Sequence, residues 1–419
     1  MEKVLGLMTT RVLLLTQWFD PEPTFKGLVF ARELVKRGFE VEVVTGFPNY
    51  PSGKVYDGYK IRLIQRELID GVHITRVPLY PSHDGSILKR ILNYLTFAIA
   101  ALFYCLFRAK KADVIYAYHP PLSIGVIAVI TRFFRKMPVV YDIQDMWPDT
   151  LRATGMLSNE KILQFIGWVA KCIYKRVDKI AVLSPGFKHL LIERGVDESK
   201  IEIIPNWCDE QALLHLVIPN EAHNFPINDR LKIVFAGNIG KAQSLHTVIN
   251  AAEILQNKNV AADFVLIGDG LELNNLKNVV NRKGLHNVIF FPQVPMNVIG
   301  TYLKKADALL VHLKKDPLFG ITIPSKTQAY MAIGKPILMG VEGDVADIIR
   351  RANCGFIFEP ENAEALADAV ILLALQTKEE LDFLGMRANQ YYLNNLSVNS
   401  GVNQFAKIFD ELAIKRVVC

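Results

Sequence analysis

The stretch that decides the fold is LKIVFAGNIGKAQSLHTVINAAEIL, at residues 231–255. It begins with an apolar run at residues 231–236, turns at Gly237, and continues with apolar residues at helical spacing as far as Leu255. A short buried strand followed by a glycine turn and a helix is typical of a βαβ unit. The stretch therefore predicts a parallel α/β sheet.

The same alternation of apolar runs and helical patterns continues on both sides. Further strands are predicted at residues 12–16, 41–45, 114–118, 139–142, 180–183, 263–267, 288–291, 308–312, 336–340 and 355–358. Right-handed crossovers between such strands give a doubly wound sheet. We predict an α/β protein with two Rossmann-like domains, at residues 1–205 and 231–400. A linker at 206–230 would join them, and a C-terminal helix at 401–419 would pack back toward the first domain.

Charge is divided unevenly between the two halves of the 419-residue chain. Up to Pro205 there are 28 Lys and Arg against 20 Asp and Glu, whereas the remainder has 20 against 22. A basic half predicts an anionic partner. We expect a membrane surface rather than nucleic acid, since no Arg-rich stripe with interleaved aromatics and no zinc-finger pattern occurs.

The cysteine pattern predicts the compartment. The five cysteines are scattered without a Cys-x-x-Cys pair, which favours reduced thiols in the cytoplasm over disulfides or a zinc site. The first residues lead directly into a strand-like run without a small-residue cleavage site, so we interpret them as a short tail rather than a signal peptide.

One segment differs from the rest of the first half. Residues 91–107 (ILNYLTFAIAALFYCLF) carry no charge, and Lys and Arg residues flank them on both sides. Three interpretations stay open: a buried core helix, a membrane span, or a helix that rests in the membrane interface. We favour the interfacial helix, since a span would separate the two flanks of one sheet.

The carboxyl ends of parallel strands are where ligands bind in doubly wound folds, and polar residues lie there in the first half. His119 follows one predicted strand, and Gln144 and Asp145 follow another. Gly27 opens a predicted helix, but no Gly-x-Gly-x-x-Gly pattern occurs, which argues against a nicotinamide enzyme. His119 as a structural loop residue and Asp145 as a helix cap are the alternatives.

In the second half, glycines follow two predicted strands and a lysine opens a helix. Gly237 and Gly268 allow phosphate oxygens to approach backbone N–H groups. Ser325 and Lys326 begin the predicted helix at 327–333, whose free N–H groups and ammonium group would form a diphosphate site. A capped surface helix is the alternative interpretation.

The order of these segments resembles family 4 glycosyltransferases across nearly the whole chain. The resemblance lies in FAGNIGKAQSLHTVINAAEIL, VLIGDGLELNNLK, VIFFPQVP, KKADALLV and PSKTQAYMAIGKPIL of the second half. The first half is similar in QWFDPEP, GLVFARELVKRGFEVEVVT, NYPSGK and YDIQDMWPD. The first half corresponds to an acceptor domain and the second to a nucleotide-binding domain.

The resemblance implies a GT-B fold with the site in the cleft, retention at the anomeric carbon and no obligatory metal or other cofactor. Members of the family with the variants seen in this sequence resemble N-acetyl-L-fucosamine transferases of O-antigen and capsule assembly. This similarity implies a UDP-sugar donor, an undecaprenyl-diphosphate-linked acceptor, and a peripheral position on the inner face of a bacterial cytoplasmic membrane.

Roles for individual residues follow from the resemblance. Asn238 and Gln243 stand where many relatives have Arg and Lys, Gln144 stands where many have His, and Gln328 lies beside Ala329, which replaces a Glu. Lys241 or Lys326 would supply the missing charge. The expected catalytic residues are His119, Asp145 and Asp316. The expected substrate-binding residues are Gly27, Gln144, Gly237, Asn238, Lys241, Gln243, Gly268, Asp269, Val294, Ser325, Lys326 and Gln328.

Two other functions fit the same architecture. A UDP-sugar epimerase would need a full acid/base set around the sugar, and would have little use for the apolar helix. A non-catalytic UDP-sugar-binding protein would explain the missing Arg, Lys and Glu. The basic first half favours the transferase over both.

Overall fold

The computed structural model describes residues 9–82, 87–153, 156–214, 225–226 and 228–418. They form two units, one running to Ile204 and including the chain again from Gly401, the other running from Pro205 to Ser400. Residues 1–8 of the predicted tail, and residues 215–224 and 227 of the predicted linker, lie outside the described residues.

An eight-stranded sheet forms the centre of the first unit. Its strands are β1 (Arg11–Leu15), β2 (Glu40–Gly46), β3 (Gln65–Ile69), β4 (Val72–Val77), β5 (Val114–Tyr118), β6 (Val139–Ile143), β7 (Lys179–Val182) and β8 (Ile201–Ile203). Their order is β3-β4-β2-β1-β5-β6-β7-β8, and only the β3–β4 pair is antiparallel. Polar residues that directly follow β1, β2, β5 and β6 therefore lie together at the carboxyl end of this sheet.

Helices cover both faces of this sheet. They are α1 (Leu28–Lys36), α2 (Ile87–Phe107), α3 (Ser123–Arg135), α4 (Asp149–Ala153), α5 (Glu160–Arg176) and α6 (Pro185–Glu193). The connections that contain α2, α3 and α5 run in one direction along the sheet, so right-handed crossovers place these helices on one face. Accordingly, α2 packs on α3, and α3 packs on α5.

The second unit repeats the architecture with six parallel strands. They are β9 (Leu231–Ala236), β10 (Ala262–Ile267), β11 (Val288–Phe291), β12 (Ala308–His312), β13 (Ile337–Gly340) and β14 (Gly355–Ile357), in the order β11-β10-β9-β12-β13-β14. All residues of β10 and β12 are buried, as expected for strands covered on both faces. Two doubly wound parallel sheets were predicted, and both are confirmed.

Nine helices surround the second sheet among the described residues. They are α7 (Glu210–Leu214), α8 (His246–Asn257), α9 (Leu273–Lys283), α10 (Met296–Lys304), α11 (Pro317–Gly320), α12 (Ser325–Ile333), α13 (Asp344–Ala352), α14 (Ala363–Ala374) and α15 (Lys378–Asn395). The predicted linker contributes Cys208, Leu213 and Phe225 to the core of this unit. Apolar side chains within that polar segment explain why part of it folds with the second unit.

The last helix, α16 (Val398–Val418), carries two aromatic residues into the core of the first unit. Phe405 packs against Phe30 with ring centroids 5.3 Å apart, and Phe409 lies 5.9 Å from Tyr116. Both side chains are fully or almost fully buried. The C-terminal segment therefore completes the core around α1 and β5.

Three strands, β3, β4 and β8, were absent from the sequence-based interpretation. β3 and β4 form a hairpin whose turn residues, Asp70 and Gly71, have φ of 50° and 80°. Positive φ at both central residues and an Asp-Gly pair are typical of a tight hairpin turn. β3 lies at the sheet edge with most of its side chains exposed, so its apolar pattern is weak.

The apolar segment 91–107 lies within α2, which begins one turn earlier than predicted. Its inner side, including Phe97, Ala101 and Cys105, is buried against the sheet. By length and composition alone, Leu88–Phe107 is long and apolar enough to cross a membrane, and 28% of its 18-residue apolar window is buried. Because β4 and β5 at its two ends belong to the same sheet, α2 lies along that sheet.

Candidate functional site

Three glycines bring the backbone ends of β9 and β10 into close contact. Gly237, Gly268 and Gly270 have φ of 138°, 147° and 156°. A Cβ on Gly268 would lie 2.0 Å from the carbonyl oxygen of Gly237, and one on Gly270 would lie 2.3 Å from that of Ile239. Only glycine fits at these positions, so the strand ends present backbone rather than side chains.

Asp269 and Asn238 lie within this glycine cluster. The N–H of Ile239 donates to the carbonyl oxygen of Asp269 at 2.8 Å, and the Asp269 carboxylate accepts from the N–H of Gly270 at 2.7 Å. Asn238 is exposed beside Gly240, with its amide oxygen 2.7 Å from where a Cβ on Gly270 would lie. Asp269 thus shapes the turn, and Asn238 remains accessible to a ligand.

Lys326 lies over the end of β9. Its Nζ is 3.3 Å from the carbonyl oxygen of Ala236 and 4.0 Å from the centre of the Phe235 ring. A Cβ on Gly237 would come within 2.6 Å of the same nitrogen, so Gly237 leaves the space that the ammonium group occupies. Burial lowers the pKa of Lys326 to about 8.

The electrostatics around Lys326 favour an anion. In the part of the chain that the structure describes, no carboxylate forms an ion pair with this ammonium group. Lys326 is also the second residue of α12, whose first turn has no side-chain cap because Pro324 precedes it. Free N–H groups of a helix end and a partly desolvated cation attract negative charge to the same point.

Tyr330 fixes this arrangement one helical turn later. Its hydroxyl accepts from the N–H of Ala236 at 2.8 Å, so α12 holds the last residue of β9. Ser325, at the start of α12, is exposed. The predicted set of Gly237, Gly268 and Lys326 is therefore brought together, and Tyr330 was missed because the tyrosine lies inside a helix and carried no motif.

Gln243 is used within its own turn. Its side-chain oxygen accepts from the N–H of Gly240 at 3.1 Å, and its carbonyl oxygen lies 2.7 Å from Nδ1 of His312. His312 also accepts from the N–H of Glu361 at 3.1 Å, and burial lowers its pKa. These contacts make Gln243 a turn residue held by a neutral histidine, whereas Lys241 in the same turn is exposed.

Three further predicted residues have structural partners. Gln328 is buried, and the end of its side-chain amide lies 2.9 Å from the carbonyl oxygen of Pro324 and 3.1 Å from that of Ser325. Asp316 caps α11 by accepting from the N–H of Leu318 at 2.9 Å. Val294 packs on the core of the second unit. The Gln328 side chain thus packs inside the first turn of α12, and its predicted role in substrate binding stays a prediction.

A cavity of about 220 Å³ adjoins the glycine turn of the second unit. Its walls include Gly240, Lys241, Ser244, His246 and Glu272. His246 lies 3.5 Å from the carboxylate of Glu272. The cavity gives Lys241 a concave surrounding in the turn after β9.

In the first unit, a buried ion pair lies at the carboxyl end of β6. Nζ of Lys26 is 2.5 Å from Oδ2 of Asp142, and both side chains are fully buried. The Tyr116 hydroxyl donates to the same carboxylate, and Gln144 donates to its other oxygen at 2.7 Å. Gln144, predicted to bind substrate, thus orients Asp142.

Asp145 and His119 lie near this network. Asp145 is half-buried, and burial raises its pKa. His119 is buried with its ring 5.3 Å from Trp147, and burial lowers its pKa to about 3. Nδ1 of His119 has no hydrogen-bond partner among the described residues. His119 is therefore a neutral imidazole at physiological pH, suited to orientation rather than to acid catalysis.

The N-terminus of α1 is occupied by a carboxylate. Asp20 accepts from the N–H of Leu28 at 2.6 Å, and a Cβ on Gly27 would lie 2.0 Å from that carboxylate. Gly27 is thus required by the close approach of Asp20. An anionic ligand at this helix end would meet the negative charge of Asp20, in contrast to the helix end at Lys326.

A second buried polar network lies beside it and was missed. Glu22 accepts from the N–H groups of Asn49 at 2.7 Å and Tyr50 at 2.8 Å, and burial raises its pKa to about 7. Gln17 donates to Asn93 at 2.6 Å. Position at the ends of β1 and β2 was the available signal for Glu22 and Gln17, but neither residue type is distinctive there.

Possible metal ligands do not cluster in the described residues. No group of three or more His, Cys, Asp or Glu side chains is arranged to hold a metal ion there. Lys326 and the helix N–H groups are thus the positive features at the ends of β9 and β10.

Protein-family models match both halves of the chain. Residues 28–207 match the glycosyl transferase 4-like domain, and residues 219–389 match the domain described as glycosyl transferases group 1. The chain belongs to the glycosyltransferases. Its predicted resemblance is confirmed at this level, whereas similarity to N-acetyl-L-fucosamine transferases stays a prediction.

Individual relatives agree with the family. The glycosyltransferase is 26% identical over 376 residues to the putative colanic acid biosynthesis glycosyl transferase WcaI of Escherichia coli, covering 84% of this chain and 89% of WcaI. It is also 26% identical over 268 residues to the probable glycosyltransferase WbjE of Pseudomonas aeruginosa, covering 62% of this chain and 66% of WbjE.

A solved structure establishes the fold class. The Anabaena protein HepE, crystallised in complex with UDP, superposes with a TM-score of 0.69 at 15% identity, covering 96% of this glycosyltransferase and 100% of HepE. The predicted GT-B fold is thereby confirmed.

Proposed function

We propose that this glycosyltransferase transfers a sugar from a UDP-sugar to an undecaprenyl-diphosphate-linked saccharide in O-antigen or capsule assembly, with retention at the anomeric carbon. An N-acetylated deoxyhexose such as N-acetyl-L-fucosamine is the proposed sugar. The observation that carries the proposal is the Lys326 ammonium group, which is desolvated and has no carboxylate partner in the described structure, beside the glycine ends of β9 and β10.

The donor diphosphate fits this point by charge. Lys326 and the uncapped N–H groups of α12 would bind the two phosphates, and Lys241 and Asn238 are accessible in the neighbouring turn. A fixed cation and preorganised N–H groups stabilise the negative charge that grows on a departing diphosphate. HepE, with the same fold, was crystallised with UDP, which supports a uridine nucleotide.

The acceptor would be oriented by the first unit. Asp145 is half-buried, and burial alone shifts its pKa. Its carboxylate is suited to accept a hydrogen bond from a sugar hydroxyl. In a retaining transfer the acceptor hydroxyl attacks from the face that the diphosphate leaves, and its proton passes to a phosphate oxygen. This route needs no strong protein base, in keeping with the neutral His119.

A lipid-linked acceptor places the protein on the inner face of the cytoplasmic membrane. Support comes from the basic first half and from the apolar helix α2. The name of WcaI, a putative colanic acid biosynthesis enzyme, supports a role in polysaccharide assembly.

A donor screen tests the proposal. Purified protein is mixed with a detergent-solubilised polyprenyl-diphosphate saccharide and, one at a time, UDP-, GDP- and dTDP-sugars, and nucleotide release is followed with and without EDTA. We expect acceptor-dependent release of UDP from one donor, and we expect this release to persist in the presence of EDTA. NMR of the product would show the anomeric configuration of the donor sugar.

The other outcomes identify the rival functions. Conversion of a UDP-sugar without acceptor would establish an epimerase. UDP binding without turnover on any donor and acceptor would establish a binding protein. Release of only GDP or dTDP would contradict the proposed nucleotide, and an inverted product would contradict retention.

A further inference from the structure

The outer side of α2 is apolar along its whole length. Its exposed stripe consists of Leu88, Leu92, Leu95, Ile99, Phe103 and Phe107, spaced three or four residues apart. Leu88 is 79% exposed and Phe107 is 69% exposed. Since the inner side is apolar as well, the helix is hydrophobic all round, which is unusual at a water-exposed surface.

The neighbouring helices extend this surface. On α3, Phe133 and Phe134 are exposed and contact each other with ring centroids 5.2 Å apart. On α5, Phe165 and Trp168 are exposed and stack at 6.0 Å. Because α2, α3 and α5 pack side by side, their exposed residues lie on one side of the first unit, here named the three-helix face.

Positive charge accompanies the three-helix face. Within α2, α3 and α5 there are eight Lys and Arg residues and one acidic residue, Glu160. The bases concentrate at the helix ends, and further bases, including Lys110, Lys111 and Lys136, follow directly after α2 and α3. Aromatic and aliphatic side chains in the middle of a surface with Lys and Arg around them are typical of interfacial membrane binding.

A basic cavity lies where α5 ends. It has a volume of about 230 Å³, and its walls carry Lys171, Lys175, Arg194 and Lys200 together with the carboxylate of Asp197. Arg194 also pairs with Asp149, so Lys171, Lys175 and Lys200 supply most of the positive charge there. Lys171 and Lys175 are exposed on α5, the helix that also carries Trp168. The cavity offers a place for an anionic headgroup next to the apolar surface.

We propose that the three-helix face rests on a membrane rich in anionic phospholipid, with Phe133, Phe134, Phe165 and Trp168 in the interface and the surrounding bases on lipid phosphates. A membrane fits better than a protein partner, because Lys is depleted from protein–protein interfaces while anionic lipid attracts it. The inference deepens the proposed function. It rests on that function only for the reason why the protein would bind a membrane, which is access to a lipid-linked acceptor.

Vesicle binding tests the proposal without donor or acceptor. The full chain is co-sedimented with vesicles of equal parts phosphatidylcholine and phosphatidylglycerol, and with vesicles of phosphatidylcholine alone. We expect at least about tenfold stronger binding to the anionic vesicles, weakened by salt as charges are screened. Trp168 is 62% exposed, so tryptophan emission should shift to the blue on binding, and Trp168→Phe should remove the shift.

Variants separate the apolar and basic contributions. Phe133→Ser/Phe134→Ser/Phe165→Ser should lose binding about tenfold or more, and Lys171→Ala/Lys175→Ala should mainly remove the preference for phosphatidylglycerol. Leu372→Ser/Leu375→Ser changes two exposed apolar residues at the C-terminal end of α14; it is the matched control and should bind as the wild type does. Urea unfolding followed by circular dichroism is measured in parallel to show that the first unit of each variant is folded.

Three results would overturn the proposal. Equal binding to both vesicle types is one, and wild-type binding by the triple serine variant is another. The third is a wild-type oligomer in analytical ultracentrifugation that the triple variant dissociates, since it would make this face a protein interface. Loss of transferase activity in the donor screen would leave vesicle binding unchanged, so the two proposals fail separately.

Discussion

The carboxyl ends of the two sheets differ in how their charged groups are neutralised. In the first unit, Lys26 and Asp142 form a fully buried pair, and Asp20 occupies the N-terminus of α1. In the second unit, Lys326 lies beside bare glycine backbone, and among the described residues no carboxylate pairs with it.

This difference indicates different tasks. A buried network whose partners are satisfied holds one geometry, which suits a wall that orients an acceptor. A desolvated cation without a counter-ion is destabilised until an anion arrives, so it favours binding of the donor diphosphate. Changes at the carboxyl end of the first sheet should therefore act mainly on stability, and changes at the carboxyl end of the second sheet should act mainly on donor binding.

Asp142→Asn should give the largest effect. It leaves the buried ammonium of Lys26 without its carboxylate, and breaking such a pair lowers the free energy of unfolding by about 3–5 kcal/mol. Urea unfolding of the first unit measures the loss, while calorimetric UDP affinity should change less than about twofold because the change lies outside the second unit.

The control is the double variant Lys26→Met/Asp142→Asn. It removes both charges and should recover part of the lost stability. If Asp142→Asn is as stable as the wild type, or binds UDP much more weakly, the ion pair does not act mainly by stabilising the carboxyl end of the first sheet.

Gly268→Ala should come next. Its Cβ would lie 2.0 Å from the carbonyl oxygen of Gly237 at a φ of 147°, so the backbone that faces the diphosphate must move. We expect a loss of about 2–3 kcal/mol of stability and at least about tenfold weaker UDP binding.

Gly284→Ala is the matched control for Gly268→Ala. Gly284 also has a positive φ, 61°, but nothing lies within 4 Å of its added Cβ. It should lose about 1 kcal/mol of stability and keep its UDP affinity. If both variants bind UDP equally well, the close contact at Gly268 does not shape the site.

Asp145→Asn should lower turnover about ten- to hundredfold, which corresponds to about 1.4–2.7 kcal/mol of transition-state stabilisation. Asparagine keeps the size of the side chain but loses the negative charge, so it accepts a weaker hydrogen bond from the sugar hydroxyl. UDP affinity should be unchanged, since the residue belongs to the first unit. Asp197→Asn, an exposed change in the same unit, is the control, and turnover equal to that of the control would reject the role of Asp145.

Glu22→Gln should have the smallest effect. Burial raises the pKa of Glu22 from 4.5 to about 7, so the folded protein holds a proton that the unfolded chain releases. Stability from this group is therefore present below pH 4.5 and is lost as pH rises through about 7. The glutamine variant should flatten this dependence by about 1–2 kcal/mol in unfolding experiments across that range. An unchanged slope would show that Glu22 is ionised throughout.

The regular features of the fold were readable from the sequence, while the fine structure of the site was not. The apolar runs predicted the two parallel sheets, since buried parallel strands are continuously hydrophobic. The edge strand β3 was missed because it begins with three polar residues and most of its side chains are exposed. The glycines after the predicted strands drew attention to Gly237 and Gly268 one at a time, and their close contact with each other appears only in the fold.

Partners distant in sequence decided the remaining roles. Lys26 and Asp142 are 116 positions apart, so no local pattern could pair them. The same holds for His312 and Gln243, whose contact depends on how β12 packs beside the turn after β9.

The most direct test of the account is the pH dependence of UDP affinity in the wild type and in Lys326→Met, with Lys258→Met, a change of an exposed lysine in the same unit, as the control. The pKa of Lys326 is about 8, so wild-type affinity should fall by roughly tenfold per pH unit above that value as the ammonium group loses its proton. Lys326→Met should bind UDP at least about tenfold more weakly and without this dependence. Wild-type affinity and the same pH profile in Lys326→Met would contradict the assignment of Lys326 to the donor diphosphate.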